Sequence, residues 1–229
     1  VKMIELDSLA PNPEIQTVIG AYQQRLENQF SRSLATVSAP FITTRDAVRT
    51  AENGFANIIA DAMRIEGEAD LAIFNGGAIR GDKRYPEGHV FSKRDLLLEL
   101  PFRTRLVTLE VTGDIILQAL ENGVSEHEKV QGRFPQVSAM SMSVDTQKPV
   151  GERVSNVKIQ GQPLQKNKTY LLATTDYMFN GGDGYVMLRN GKRRFDLAPT
   201  TPLLSDVLQR SLSESGTLNA LVDNRIAVN

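Results

Sequence analysis

Helical and strand-like hydrophobic patterns alternate along this chain of 229 residues, and the alternation limits the fold more than any other feature of the sequence. Apolar residues three or four positions apart are typical of helices, whereas short apolar or alternating runs are typical of strands. Helical patterns occupy residues 53–70, 94–102, 113–126 and 202–212. Strand patterns occupy residues 36–43, 71–74, 105–111, 139–146, 153–159 and 170–177. This order predicts one α/β domain over residues 35–229, a mixed sheet with helices.

A long amphipathic helix is predicted ahead of that domain. Residues 11–34 carry apolar side chains at helical spacing, and Pro11 and Pro13 lie near the start, where helices accept proline. The apolar positions are Ile15, Val18, Ile19, Tyr22, Leu26 and Phe30. The helix is expected to lie along a surface or between domains, and a core-facing stripe is the simplest interpretation of its apolar side. Residues 1–34 are therefore interpreted as an interdomain connecting helix.

Composition and charge exclude several classes of function. The formal net charge is −1, so the chain lacks the basic field that a nucleic-acid polymer would require. No apolar run approaches the roughly 20 residues of a membrane helix, so no membrane span is predicted. The chain has no cysteine, and His89 and His127 have no second histidine at ligand spacing. No metal site is therefore predicted within these residues.

Two glycine pairs are the most conspicuous motifs. Residues 75–84 read NGGAIRGDKR, and residues 177–185 read YMFNGGDGY. A dinucleotide fingerprint needs glycine at its third place, where GGAIRG has Ala78, and a P-loop needs Lys followed by Ser or Thr, which GGAIRGDK lacks. Each pair alone is more often a plain turn than a ligand loop, so only a combination of motifs points to a ligand.

Five sequence blocks supply that combination. In chain order they are RTAENGFANIIADAMR, AIFNGGAIRGD, ELPFRTRLVTLEVTGDIILQALENG, GRFPQVSAM and TYLLATTDYMFNGGDGY. Together they resemble the C-terminal domain of the 5'-nucleotidase family over about residues 35–210. The resemblance implies a nucleotide-binding domain that works beside a separate N-terminal metallophosphoesterase domain. That other domain would hold two divalent metal ions, and its Asp-x-His and Gly-Asn-His-Glu motifs do not occur in this sequence. Ala56 and Ala139 stand where the family commonly has glycine.

The resemblance implies roles for four polar residues. It places Asn75 near the base and Arg80 near the phosphate, and an amide and a planar guanidinium suit these roles. It also matches Arg49 to a family arginine, with Arg45 four positions earlier. If that segment is helical, the two arginines share one face, where a phosphate would relieve their repulsion. A solvated side chain is an equally good interpretation of Arg45.

Aromatic, acidic and glycine residues complete the implied pocket. The family stacks the base between two rings, here at Phe102 and Tyr177, and stacking tolerates every base. Tyr177 replaces the more usual phenylalanine, so its hydroxyl needs water or a partner. Asp183 matches an aspartate that accepts hydrogen bonds from ribose hydroxyls. Glycines are expected to give the ligand clearance at the backbone, at Gly76, Gly77, Gly181 and Gly182.

Three interpretations of function stay open at the level of sequence. The first is the substrate-binding domain of a 5'-nucleotidase-type phosphatase, which would be inactive without the metallophosphoesterase domain. A signal peptide upstream is expected to direct such a protein to the periplasm, to secretion or to the cell surface. The second is a non-catalytic interaction or dimerisation module with the same fold. The third is the binding domain of a 2',3'-cyclic phosphodiesterase/3'-nucleotidase, or of a relative acting on dinucleotides or sulfur compounds. The pair of rings favours a base over sulfur compounds. The expected partners are nucleotides or nucleosides and the metallophosphoesterase domain.

Overall fold

The structure is a computed structural model that describes residues 12–194 and 201–229. Its helices are α1 (Pro13–Phe30), α2 (Arg45–Arg49), α3 (Gly54–Glu66), α4 (Lys93–Glu99), α5 (Gly113–Val124), α6 (Asp176–Phe179) and α7 (Leu204–Ser215). Its strands are β1 (Ser33–Val37), β2 (Phe41–Ile42), β3 (Leu71–Asn75), β4 (Arg84–Tyr85), β5 (Val90–Ser92), β6 (Leu106–Thr112), β7 (Pro135–Ser138), β8 (Met140–Val144), β9 (Val154–Ile159), β10 (Gln162–Pro163), β11 (Thr169–Thr175), β12 (Lys192–Arg193), β13 (Thr217–Leu218) and β14 (Ile226–Val228). The predicted α/β class is confirmed.

A mixed sheet of five strands forms the centre of the domain, in the order β12-β6-β11-β3-β7. The neighbours β11 and β3 are parallel, and the other pairs are antiparallel. Every residue of β3 is buried, so both faces of the sheet are covered at this strand. Helices α3 and α5 pack against the sheet, and burial of their apolar faces supplies the main driving force for its assembly.

Smaller sheets surround the central one. Strands β13, β1 and β5 form one sheet, and β10, β9, β8 and β14 form another, while β2 pairs with β4. Stacked and tilted rings join the first and last of these sheets to α3, and they belong to Phe41, Phe55, Tyr85 and Phe91. These buried rings contribute apolar area and favourable ring geometry to the same core.

Polar side chains fix where the main helices begin. Asn53 precedes α3, and its side-chain oxygen accepts hydrogen bonds from the backbone N–H groups of Phe55 and Ala56 at 3.1 and 3.2 Å. Ser92 and Asp95 form a reciprocal capping box at the start of α4. Such caps satisfy backbone donors that the first turn leaves free, and each stabilises a helix by about 1 kcal/mol.

The apolar side of α1 does not face the core, contrary to the simplest interpretation of its sequence. The residues of this stripe are about half exposed: Ile15, Val18, Ile19, Tyr22 and Leu26. Helical periodicity shows that a helix has an apolar face, but it does not show what covers that face. A helix is present from Pro13 to Phe30, shorter than predicted because Ser33 and Leu34 belong to β1, and residues 1–11 of the predicted segment lie outside the described residues. Its stripe is left uncovered by the part of the chain that the structure describes.

The two alanines at family glycine positions have opposite backbone requirements. Ala139 joins β7 to β8 with a φ of 53°, in the left-handed region that disfavours residues with a Cβ. Ala56 lies within α3 and is fully buried, and alanine is the better helix former there. The sequence shows both only as alanines in place of a family glycine, and the structure separates them.

We expect Ala139→Gly to raise the free energy of unfolding by about 0.5–1 kcal/mol, because glycine adopts a positive φ without a steric cost. Ala56→Gly is the matched control and should lower the free energy of unfolding by about 1 kcal/mol, because it weakens the first turn of α3 and removes a buried methyl group. Urea unfolding of both variants checks the signs. Destabilisation by Ala139→Gly would contradict the left-handed assignment.

Candidate functional site

Four neighbouring strands of the central sheet end or begin at one edge. Strands β3 and β11 are parallel, so the loops that follow them leave the sheet at the same end. Strands β6 and β7 run the other way, with Thr175 paired to Leu106 and Asn75 paired to Pro135. The loops that precede β6 and β7 therefore reach the same edge. Ligands of open α/β sheets commonly bind beyond the carboxyl ends of parallel strands, as at this edge.

A cavity of about 450 Å³ opens at this edge and brings most of the predicted site residues together. Its lining residues are Arg49, Asn75, Gly77, Ala78, Arg80, Phe102, Thr104, Gln131, Gly132, Tyr177 and Asp183. Arg49 ends α2 and Asn75 ends β3, while Tyr177 lies in α6. The two glycine motifs, about a hundred residues apart in sequence, thus form facing parts of one cavity.

Asp183 is held by two side chains of the cavity. The Nδ2 group of Asn75 donates to Oδ2 of Asp183 at 2.8 Å, and the hydroxyl of Tyr177 donates to Oδ1 at 3.0 Å. The backbone of Asp183 has a φ of 51°, and its carbonyl accepts a hydrogen bond from Nδ2 of Asn122 at 3.1 Å. A residue in this strained region needs surrounding contacts to hold it, and these contacts fix the direction of the carboxylate.

Arg49 is a buried cation without an ion pair among the described residues. Its side chain is 9% exposed, and its Nε has no hydrogen-bond partner there. Burial lowers the pKa of the Arg49 guanidinium, and the nearby charges of Arg80 and Arg45 lower this pKa further. The carboxylate of Asp183 acts in the opposite direction. A buried polar group without a partner is costly, so this guanidinium is available to an anion inside the cavity.

Arg80 and Phe102 lie together on the wall of the cavity. The Nε group of Arg80 donates to the carbonyl oxygen of Gly77 at 2.7 Å, which orients the guanidinium. Its Cζ lies 5.1 Å from the centroid of the Phe102 ring, within the range of a cation–π contact. The remaining guanidinium nitrogens of Arg80 add positive charge to the end of the cavity that holds Arg49.

Phe102 and Tyr177 are exposed rings that line the same cavity. Their side chains are 48% and 46% exposed, in contrast to the aromatic cluster of the core. Exposed aromatic faces beside charged and polar groups offer a stacking surface for a planar ligand. The structure thus places both predicted rings at the cavity, and their stacking on a base stays a prediction.

The glycines of the two motifs are closely approached by protein atoms. A Cβ on Gly76 would overlap the carbonyl oxygen of Val48 in α2, and one on Gly77 would lie 2.6 Å from the Cα of Gly132. A Cβ on Gly182 would overlap the ring of Tyr177. Gly181 has a φ of 87°, which favours glycine on its own. These positions allow tight packing of the segments that carry the site, and ligand clearance at them stays a prediction.

Arg45 lies outside the cavity lining. It begins α2, so the segment with both arginines is helical, but its side chain is exposed. Its backbone N–H donates to Oδ1 of Asp82 at 3.0 Å. Arg45 therefore contributes long-range charge to Arg49 and makes no lining contact.

Sequence reasoning missed Ala78, Thr104, Gln131 and Gly132, which also line the cavity. Thr104 and Gln131 precede β6 and β7, and no motif distinguishes them from ordinary loop residues. Knowledge of the strand order would have found them, because both loops reach the edge where β3 and β11 end.

Across the described ranges, no group of three or more His, Asp or Glu side chains is placed to hold a metal ion. In the same ranges, no helix is both long and apolar enough to cross a membrane.

Comparison with known proteins assigns the family. A family model described as "5'-nucleotidase, C-terminal domain" matches residues 33–190. The chain therefore belongs to this family, and the resemblance of the five sequence blocks is confirmed. Its cavity is the candidate substrate-binding site of a 5'-nucleotidase C-terminal domain.

Individual relatives are longer than this chain. A 5'-nucleotidase of Diplobatis ommata is 27% identical over 212 residues, 84% of this chain and 37% of the relative. The trifunctional nucleotide phosphoesterase protein YfkN of Bacillus subtilis is 30% identical over 195 residues, 81% of this chain and 13% of the relative. The solved structure of a 5'-nucleotidase precursor from Thermus thermophilus matches with a TM-score of 0.84 at 30% identity, over 96% of this chain and 44% of the other. The chain thus spans less than half the length of each.

A buried carboxyl group outside the cavity contacts the two segments that carry Arg49 and Arg80. Glu99 is fully buried at the end of α4, and its Oε1 accepts hydrogen bonds from the hydroxyls of Thr43 at 2.9 Å and Tyr85 at 2.7 Å. Its Oε2 accepts from the backbone N–H of Gly81 at 3.1 Å. Thr43 leads into α2, and Gly81 follows Arg80, so one side chain anchors both segments. Burial raises the pKa of Glu99, while its hydrogen bonds act in the opposite direction.

The raised pKa of Glu99 predicts a pH dependence of stability. The folded state binds this proton more tightly than the unfolded state, so the contribution to stability is fully present below the unfolded pKa of about 4.3 and is lost as the pH rises through the folded pKa. The free energy of unfolding should therefore fall with rising pH relative to that of Glu99→Gln, which cannot titrate. Urea unfolding of both proteins between about pH 4.5 and pH 8 measures this difference. Parallel pH profiles would show that Glu99 has an ordinary pKa in the folded state.

Proposed function

We propose that this chain is the substrate-binding domain of a nucleotide-hydrolysing phosphatase of the 5'-nucleotidase type, and that its cavity recognises base, ribose and phosphate. The observation that carries the proposal is the guanidinium of Arg49, which has no ion pair among the described residues and lines a cavity that also presents two rings and a carboxylate held by two hydrogen bonds. A nucleotide is the ligand whose three parts match these three kinds of group.

The phosphate is proposed to bind at Arg49 and Arg80. A planar guanidinium presents several donors that fit phosphate oxygens, and charge-assisted hydrogen bonds are the stronger kind. The anion would pair with the guanidinium of Arg49 and offset the repulsion between neighbouring arginines. Arg45 is proposed to attract the anion from the exposed side of α2, without direct contact.

The nucleoside is proposed to fill the rest of the cavity. Phe102 and Tyr177 would stack on the base, and the amide of Asn75, which lines the same cavity, would contact the base edge. Asp183 would accept hydrogen bonds from ribose hydroxyls. Stacking depends little on base identity, so we expect several nucleotides to bind with similar affinity. The ring pair favours this assignment over a sulfur-compound substrate.

Hydrolysis is proposed to require a metallophosphoesterase domain outside these residues, with two divalent metal ions. The described residues of this chain contain no cluster that fits such ions, so their chemistry would belong to the other domain. Residues 1–34 are proposed to form the interdomain connecting segment, with α1 as its helix, and residues 35–229 the nucleotide-binding domain. The uncovered apolar stripe of α1 supports this division, because an interdomain helix needs an apolar face for a neighbouring domain. The proposed location is the periplasm or the outside of the cell.

We expect Arg49→Met to weaken AMP binding by roughly ten- to hundredfold, as loss of a charge-assisted phosphate contact of about 1.5–3 kcal/mol predicts. Adenosine affinity should change much less, because the nucleoside makes no contact at this end of the cavity. The free energy of unfolding should stay equal or rise, because the variant removes a buried cation without an ion pair. Isothermal titration calorimetry with AMP and adenosine, and urea unfolding, give the three values.

Arg84→Met is the matched control, since Arg84 is an exposed arginine of β4 outside the cavity lining. It should leave the ratio of AMP to adenosine affinity unchanged. Equal loss of both affinities in Arg49→Met, or absence of AMP binding to the unaltered chain, would contradict the proposed phosphate position.

We expect the chain alone to bind AMP without releasing phosphate, even with millimolar Mn²⁺, Mg²⁺ or Zn²⁺. A colorimetric phosphate assay at the protein concentration used for calorimetry checks this expectation. Metal-dependent phosphate release that disappears in a purified Arg49→Met sample would show that this chain itself carries catalytic machinery. Light scattering with and without AMP tests the alternative of a dimerisation module. That alternative predicts the mass of a dimer whether or not AMP is present.

A further inference from the structure

The hydroxyl of Tyr177 is part of the cavity and contacts the group proposed to bind the sugar. It donates to Oδ1 of Asp183 at 3.0 Å, while Asn75 donates to Oδ2 at 2.8 Å. Phenylalanine at this position would keep a stacking ring but would leave Oδ1 without its protein donor. The hydroxyl thus has a specific partner, and that partner belongs to a different part of the proposed ligand site.

The two protein donors leave a defined number of acceptor positions on Asp183. An ionised carboxylate has two oxygens with about four acceptor sites in total. One site on each oxygen is already used, and the two bonds together restrict rotation of the carboxylate. A free site remains on each oxygen. Two adjacent hydroxyl groups on one ligand would satisfy both sites at once.

The phenol of Tyr177 is suited to remain protonated and so to donate its hydrogen bond to Asp183. Burial raises the pKa of its phenol, and the hydrogen bond to Asp183 raises it further. The phenol therefore keeps its proton at neutral pH. The ring also packs over Gly182, where any Cβ would overlap it, so the ring position and the hydrogen bond support each other.

We propose that the Tyr177 hydroxyl is a positioning group that makes this cavity selective for ligands with two neighbouring hydroxyls, and so for ribonucleosides over deoxyribonucleosides. This inference rests on the proposed function. With the carboxylate held by a hydrogen bond to each oxygen, a ligand that has one hydroxyl leaves the free site of the other oxygen without a ligand donor. Loss of the Tyr177 hydroxyl would let the carboxylate rotate toward a single hydroxyl or toward water, and discrimination would fall.

The test compares adenosine, 2'-deoxyadenosine and 3'-deoxyadenosine by calorimetry on the unaltered chain and on Tyr177→Phe. The unaltered chain should prefer adenosine over either deoxynucleoside by about tenfold or more, in keeping with the loss of one buried hydrogen bond. In Tyr177→Phe the preference should fall to about threefold or less. Adenosine should still bind this variant, because the ring that stacks on the base is retained.

Tyr22→Phe is the control, because it removes a phenolic hydroxyl from the exposed face of α1. Its preference for adenosine should equal that of the unaltered chain. An unchanged preference in Tyr177→Phe would overturn this inference and leave the proposed function standing. If the unaltered chain binds no nucleoside and no AMP, the proposed function fails and this inference fails with it. A ratio of affinities is a readout that general destabilisation of the variant does not move.

Discussion

The parallel pairing of β3 with β11 is the contact on which the candidate site depends. These strands come from distant parts of the sequence, yet their carboxyl ends lie at one edge of the central sheet. Asn75 at the end of β3 consequently reaches Asp183, which follows β11. The antiparallel neighbours β6 and β7 bring their preceding loops to the same edge. The order and direction of four strands thus place four of the segments that line the cavity, and α2 adds Arg49.

The positive charge at this edge belongs to Arg49 and Arg80, which form no ion pair with the described residues that line the cavity. Hydrogen bonds outside the cavity hold the two segments that carry these arginines. Arg49 is buried, with an unpartnered Nε, and Arg80 lies near it on a loop that Glu99 anchors. A purely structural arginine would be expected to have a carboxylate partner, because an unpaired buried charge lowers stability. Anchoring each segment separately keeps the arginines close despite their repulsion. The arrangement is typical of a binding site in which part of the stability has been lost in favour of function.

Strong local patterns in the sequence predicted the main elements, while the features set by distant contacts could not be predicted. Helices α3 and α5 and strands β6 and β11 have clear periodicity, but two-residue strands such as β4 and β12 have none. Strand β14 pairs with β8, and Glu52 accepts hydrogen bonds from the backbone of Asp223, Arg225 and Ile226 at its start, contacts that no local pattern reveals. The exposed stripe of α1 was misjudged for the same reason. Motif positions located most of the lining of the cavity, whereas Thr104 and Gln131 needed the strand order.

The end of the cavity that is proposed to bind the sugar is held in one arrangement by hydrogen bonds within the protein. Asp183 has a left-handed backbone, which costs about 1–3 kcal/mol for a residue with a side chain, and Asn122 and Asn75 hold it in place. Two residues after Asp183, Tyr185 is buried and donates its hydroxyl to the carbonyl of Arg133 at 2.6 Å, which ties this turn to the loop before β7. The cost of ordering these groups is therefore met during folding, so that a ligand need not supply it. A carboxylate fixed in this way discriminates by the geometry of the hydroxyls offered to it, and an adaptable one would discriminate less.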